Sequence, residues 1–362
     1  MRRLLPLVPV FVALTGMLHA QGDAPQSSAS SSTDAPYVLH VYQNLVQIPT
    51  LVLTQNIEIP RPIPIAKFKI SIDSGPKFRP TQMHLEGDDP LNLTILLDAT
   101  GDQNELLKRF ELALNSIAPS VLHHADHISV FAYDCALYRS LYDVPADYPL
   151  VSSGFTRVLA SPNLHGDGTR RSCKEVPFWD AVTRVIATMS TRSGRRVLLI
   201  VSDGHSRKGS SSFNDTFEFA VEKSVAIFGM RDLEEYNSSK MLGVNRSPGL
   251  PNSLLTASDE DLFDLLCQKN GGLLSTVPER DLPAALRKFV AMLRNRYILE
   301  FPRPSEDRPG SHLIEVTIPG SNDYIRPAGL VVPNPPSHDP NTPMPTPSPA
   351  VYGKHHPIDP TH

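Results

Sequence analysis

The stretch LTILLDATGD, residues 93–102, decides how the rest of the chain is read. Its nearly continuous apolar run has no helical stripe and is cut off by a carboxylate, a hydroxyl, a glycine and a second carboxylate. That pattern reads as a strand buried on both faces, as in a parallel sheet. The loop after such a strand lies at the C-terminal edge of the sheet, where open α/β sheets bind ligands. Asp98, Thr100 and Asp102 are therefore the first candidates for function.

Working outward, residues 102–118 carry Leu107, Phe110, Leu114 and Ile117 on one helical face. HISVFAYD (127–134) alternates and ends in a carboxylate, as a second strand should. FWDAVTRVIATM (178–189) has helical spacing, and RRVLLIVSDGHS contains a buried strand at 197–201 ending in Ser202, Asp203 and Gly204. Helical patterns at 213–222, 259–269 and 281–293 alternate with strand patterns at 224–230, 272–277 and 297–301. This alternation across residues 91–301 predicts an α/β fold: a doubly wound, mostly parallel sheet covered by helices on both faces.

The flanks differ. Residues 37–90 hold Pro-punctuated β-rich segments, read as a small β module. Strand patterns in 302–332 are expected to join that module. Residues 21–36 are too poor in large apolar side chains to form a core, and in 333–362 ten of thirty residues are Pro, so both are expected to be disordered.

Residues 1–20 place Arg2 and Arg3 before a short apolar stretch and end in Ala20, the pattern of a cleaved secretory signal. Export to the periplasm or the cell exterior follows, with no membrane span expected after cleavage. The formal net charge of −4 becomes −6 once those two arginines are removed. A mild negative balance without basic runs argues against nucleic acid or an anionic membrane as partner. Cys135, Cys173 and Cys267 are too few for a disulfide framework; one bridge with a leftover thiol and three free thiols both fit.

Three loops at one sheet edge thus offer oxygens: Asp98, Thr100 and Asp102 from the first, Thr169 in HGDGT from the second, and Asp203 from the third. Hard divalent cations take carboxylate, hydroxyl and water oxygens contributed by separated segments. Asp102 also has a second reading, as a helix N-cap completed by Glu105 three residues on.

At these residues the chain resembles the von Willebrand factor type A domain. The members of that family carry a strand ending in Asp-x-Ser-x-Ser, a later Thr and a later strand ending in Asp-Gly, together the metal-ion-dependent adhesion site. DHISVFAYD, and GDGT ahead of a helix containing WDAV, extend the likeness. NLVQIPTLVLTQ, RYILEFPRP and HLIEVTIP resemble the exported bacterial subgroup called VWFA-related Acidobacterial domain proteins. The resemblance implies a metal set of Asp98, Thr100, Asp102, Thr169 and Asp203, with Mg²⁺ favoured over Ca²⁺ or Mn²⁺. It also implies a protein partner whose acidic residue completes the metal shell. Thr100 keeps the hydroxyl of the first family Ser, whereas Asp102 replaces the second, which makes the site degenerate.

The expectation is a non-enzymatic, adhesion-type binding protein. One rival is a structural scaffold with an inactive metal site. Another, a metal-dependent hydrolase, is disfavoured because no Gly-rich phosphate loop follows the strand and no G-x-S-x-G elbow is present.

Overall fold

The structure, a computed structural model, describes residues 45–87, 89–100, 104–161, 174–192, 194–205, 208–234, 236–237, 261–302, 310–328 and 330–332. Strands β1 (Leu45–Leu53), β2 (Lys69–Ile72) and β3 (Gln82–Leu85) precede the run that opens the main domain, β4 (Leu91–Asp98). Then come α1 (Asn104–Val121), β5 (His127–Tyr133), β6 (Leu137–Pro145), α2 (Tyr148–Leu159), α3 (Phe178–Met189) and β7 (Arg195–Val201). The alternation continues through α4 (Phe213–Glu222), β8 (Val225–Asp232), α5 (Leu262–Lys269), β9 (Leu274–Val277) and α6 (Leu282–Arg294). The chain closes with β10 (Tyr297–Pro302), β11 (Gly310–His312), β12 (Ile314–Thr317), β13 (Tyr324–Pro327) and β14 (Leu330–Val332).

Six strands form the central sheet in the order β6-β5-β4-β7-β8-β9. All neighbours are parallel except the edge pair β5–β6. Its buried strands sort their side chains by parity. Leu93, Ile95 and Leu97 of β4, with Val197, Leu199 and Val201 of β7, pack into one core with residues of α1, α2 and α6. Leu96, Leu198 and Ile200 point the other way, into a second core with residues of α3 and α5. Burying each such Leu or Ile contributes about 1.5–3 kcal/mol, which is why an unbroken apolar run settles in the middle of this sheet. The sheet is thus doubly wound and mostly parallel, the α/β class that the sequence predicts.

Alongside it runs a four-stranded antiparallel sheet, β13-β1-β10-β3, with β2 and β12 paired over it. Strand β1 serves two cores. Ile48 and Val52 pack with Phe68, Ile70, Leu299 and Val316, while Leu51 and Leu53 face the α1–α6 side of the main domain.

One strand differs from its sequence reading. The segment 297–301, read as the next member of the alternating series, becomes β10 and pairs antiparallel with β1 and β3. An apolar run records burial but not which sheet buries it. Within the β-rich segment 63–72, the chain makes a 3-10 turn at Ile65–Lys67 before the short β2. The N-terminal segment 1–36 and the tail 333–362 lie outside the described residues.

Buried charge fastens the two sheets where the chain crosses between them. Arg296 donates from Nε and Nη2 to the two carboxylate oxygens of Glu86 at 2.6 and 2.8 Å, with side chains 1% and 0% exposed. Beside it, Arg294 donates to Asp126 at 2.5 Å and to the Gly87 and Asp89 carbonyls. Asp126 in turn accepts from the Leu91 amide at the start of β4.

Candidate functional site

Strand β4 hydrogen-bonds to β5 on one side and β7 on the other, and the chain reaches these neighbours by crossovers that run in opposite directions. The C-terminal ends of β4 and β7 therefore flank the topological switch point, where a crevice opens in this class of fold. Asp98 is the last residue of β4, and Ser202 and Asp203 follow β7 directly.

Asp98 is almost completely buried, at 1% exposure, and no cation pairs with it among the described residues. Its charge is met by hydroxyls instead. Oδ1 accepts from the Thr100 amide at 3.0 Å and the Thr100 hydroxyl at 2.7 Å. Oδ2 accepts from the Tyr133 hydroxyl and the Ser202 hydroxyl, both at 2.6 Å. Burial pushes the Asp98 carboxyl up to about 6; the Ser202, Tyr133 and Thr100 hydrogen bonds oppose that rise, and the nearby Asp203 charge adds to it. Burial, together with the adjacent carboxylate, likewise drives the Tyr133 phenol well above its ordinary range.

These four donors occupy the approximately four lone-pair directions of a carboxylate. What remains available lies one atom further out. Thr100 Oγ1 spends its proton on Asp98 and keeps its lone pairs, and among the described residues Ser202 Oγ accepts only the Gly204 amide at 3.0 Å besides its contact with Tyr133. Asp203 is partly exposed, with a side chain 20% accessible; its Oδ1 accepts the His205 amide at 2.7 Å. Gly204 completes the turn at φ +79°, where an added Cβ would also strike the Phe263 side chain at 2.8 Å. Hydroxyl oxygens backed by a buried carboxylate and flanked by an open one form an oxygen-only donor set, the type hard cations accept.

Of the sequence candidates, Asp98, Thr100 and Asp203 fall at this edge, with Asp98 as the internal acceptor behind Thr100. Asp102 and Thr169 lie outside the described residues. Among the described residues no three His, Cys, Asp or Glu side chains converge as a metal cluster. Two participants were not singled out from sequence, Tyr133 and Ser202. Ser202 had a usable signal, since it immediately precedes the candidate Asp203; Tyr133 joins Asp98 only through the β4–β5 register, which the sequence pattern does not fix.

The loop beyond Asp203 is tethered from the second core. Asp180 on α3 accepts the Ser211 amide at 2.6 Å and the Ser210 amide at 3.1 Å. Its burial would raise the carboxyl, but these amides and the two serine hydroxyls outweigh it and hold the group below its ordinary value. Ser212 then caps α4 in a reciprocal box with Asp215. Among the cysteines, Cys135 is disulfide-bonded and Cys267 is a free, fully buried thiol, while Cys173 lies outside the described residues.

No protein-family model and no curated protein sequence matches the chain. Several solved structures are similar to it. An aerotolerance-related membrane protein from Bacteroides fragilis is 11% identical with a TM-score of 0.38, covering 56% of this chain and 98% of its own. BatB from Bacteroides thetaiotaomicron is 14% identical with a TM-score of 0.36 over the same shares. Proximal thread matrix protein 1 from the mussel byssus is 11% identical with a TM-score of 0.41, covering 61% of this chain and 50% of its own. A further structure of the mussel protein, 10% identical with a TM-score of 0.37 over 58% of this chain and 49% of its own, has a zinc-occupied MIDAS motif. No helix among the described residues is long and apolar enough to cross a membrane.

Proposed function

We propose that this chain is an exported, non-enzymatic binding protein of the von Willebrand factor type A kind, belonging to the exported bacterial subgroup named above. Its interaction edge is a degenerate metal-ion-dependent adhesion site. The observation that carries this reading is the buried Asp98 carboxylate, which draws the Thr100 proton inward and lies close enough to the partly exposed Asp203 to feel its charge. A divalent cation, Mg²⁺ before Ca²⁺ or Mn²⁺, would be held through Thr100 and Asp203 with Asp98 as the internal counter-charge. Asp102 and Thr169 are the remaining members of the proposed set. When bound, the cation supplies an electrophilic position for an acidic residue of a protein partner. Asp102 in place of a hydroxyl adds negative charge there, and so weakens attraction for that acid.

Calorimetric titration of the full chain with MgCl₂ and MnCl₂ tests the reading. Binding is expected for the wild type and is expected to fall at least about tenfold in Thr100→Val and Asp203→Asn. Equal heats in wild type and both variants, with unchanged thermal stability, would remove the cation from the proposal.

A further inference from the structure

Two supports of the Asp98 crevice meet at one point of the chain. The first is the end of β5, where Tyr133 donates its hydroxyl to Asp98 at 2.6 Å and the buried Asp134 follows. The second is the start of α3. Asp180, in its first turn, accepts the Ser210 and Ser211 amides, and Gly209 packs so closely there that an added Cβ would lie 2.8 Å from both Pro177 and Asp180. The loop beyond Asp203 therefore rests on the N-terminus of α3. Between the two supports, the Val176 amide donates to the Asp134 carbonyl at 2.7 Å.

Cysteine chemistry falls at the same point. Cys135, next to Asp134, is disulfide-bonded, and Cys267 on α5 is a free thiol. The chain holds one further cysteine, Cys173, so a bridge within one chain joins Cys135 to it. Spacing agrees with the count: Cys135 is one residue beyond Asp134 and Cys173 three residues before Val176, separations of at most roughly 4 and 11 Å along the chain. The hydrogen bond from Val176 to Asp134 thus keeps the two within the reach that a bridge requires. Cys267 does not compete. It is wholly buried, which drives its thiol well above the ordinary range and leaves little thiolate for exchange.

We propose that Cys135 and Cys173 form a redox-sensitive clasp between β5 and α3, and that opening it loosens both sides of the crevice and weakens cation binding there. The clasp stands on the cysteines and the hydrogen bonds around them; its effect on a cation rests on the adhesion-site reading above. A lone peptide hydrogen bond is a modest restraint, and covalent closure of the chain between the two cysteines is a much larger one. A dithiol opens the clasp by exchange. One of its thiolates attacks a bridge sulfur, its second thiol displaces the mixed disulfide as the reductant closes to its own cyclic disulfide, and two electrons and two protons remain on Cys135 and Cys173 as thiols.

The test compares the full chain purified in air with the same protein reduced by dithiothreitol. Non-reducing digestion and mass spectrometry are expected to find a Cys135–Cys173 peptide pair that dithiothreitol abolishes. Amide hydrogen exchange is expected to rise at least about tenfold at Val176, Ser210 and Ser211 on reduction, with Leu199 in β7 unchanged. Calorimetry with MgCl₂ is expected to give at least about tenfold weaker binding for the reduced protein. The double variant Cys135→Ala/Cys173→Ala in air should match the reduced wild type in both readouts. Free thiols at Cys135 and Cys173 in air, a bridge to Cys267, unchanged exchange at the three amides, or equal Mg²⁺ affinity in the two forms overturns the proposal. A rise that includes Leu199 also overturns it, because the bridge would then hold the whole fold rather than the crevice. If neither form binds Mg²⁺, the adhesion-site reading and the effect on a cation both fail, and exchange alone decides the clasp.

Discussion

The two ends of the parallel sheet handle buried carboxylates in opposite ways. At the N-terminal end, Glu86 and Asp126 face Arg296 and Arg294 across 2.5–2.8 Å, and each charge meets its opposite. At the C-terminal end, Asp98 is as deeply buried yet is met by three hydroxyls and one amide. Guanidinium pairing cancels a charge, whereas hydroxyls only solvate it. The first arrangement fastens two sheets together. The second keeps a negative potential at a crevice, and the raised Asp98 pKa records what that costs.

The largest effect is expected from breaking the cancelling end. Glu86→Gln preserves shape but leaves the Arg296 charge buried and unpaired, which costs about 3–5 kcal/mol. Urea unfolding at pH 7 measures it; a loss under about 1 kcal/mol would show that Arg296 finds water or another acceptor. Replacing both partners with apolar residues of similar volume should cost less than Glu86→Gln alone.

At the solvated end the sign reverses. An acid whose folded pKa is raised favours the folded state fully below the ordinary value of 3.8, and that advantage is lost as pH rises toward about 6. In EDTA, Asp98→Asn should therefore stabilise the protein at pH 8, by up to roughly 3 kcal/mol from the size of the shift, and by almost nothing near pH 4. Melting temperatures at the two pH values give the comparison directly. A variant less stable than wild type at pH 8 would mean that the hydroxyls fully offset the burial of the charge.

Much of this contrast was legible in the sequence at one end only. The runs in β4 and β7 announce themselves because every side chain is buried, and a polar residue at the end of such a run marks the crevice. The edge strand β6 gives no such signal: most of LYRSLYDVP is partly or fully exposed. Helix α2 was equally hidden, since it contains Pro149 and Gly154, and Gly154 is there because a Cβ would collide with the Leu141 side chain at 2.3 Å. Glu86 sits in the polar run EGDD, which carries no mark of a core residue. Only the pairing of β10 with β3, more than 200 residues apart in sequence, brings Arg296 onto it. Long-range antiparallel pairing leaves no local periodicity, and so the fastening end was invisible. Tyr133 lay in a recognised strand, but its contact with Asp98 follows from register, which strand patterns alone do not fix.

A smaller effect separates the solvating groups from one another. Tyr133→Phe deletes one hydroxyl donor to the Asp98 carboxylate while keeping the buried ring. Its loss should cost about 1.5–3 kcal/mol at pH 8, the usual range for hydrogen bonds to a charged group. Near pH 4 Asp98 is protonated and the penalty should shrink, so the pH dependence distinguishes a lost charge-assisted bond from a packing defect. A penalty equal at both pH values would assign Tyr133 to the core alone.

The smallest effect concerns the loop that follows Asp203. Asp180 holds the Ser210 and Ser211 amides, and Asp180→Asn keeps an acceptor oxygen while removing the charge. The expected loss is about 1 kcal/mol at pH 7. Here the folded pKa is lowered, so the contribution is present above the ordinary value of 3.8 and disappears as pH falls through the lower folded value. Wild type and variant should therefore converge as pH falls below that lowered value, the reverse of the Asp98→Asn profile. Amide hydrogen exchange at Ser210 and Ser211 reports the tether itself: faster exchange in Asp180→Asn at pH 7 would show that the crevice rim is held by charge. Unchanged exchange would mean that close packing around Gly209, where an added Cβ would lie 2.8 Å from the Asp180 carboxylate, is enough to fix the loop.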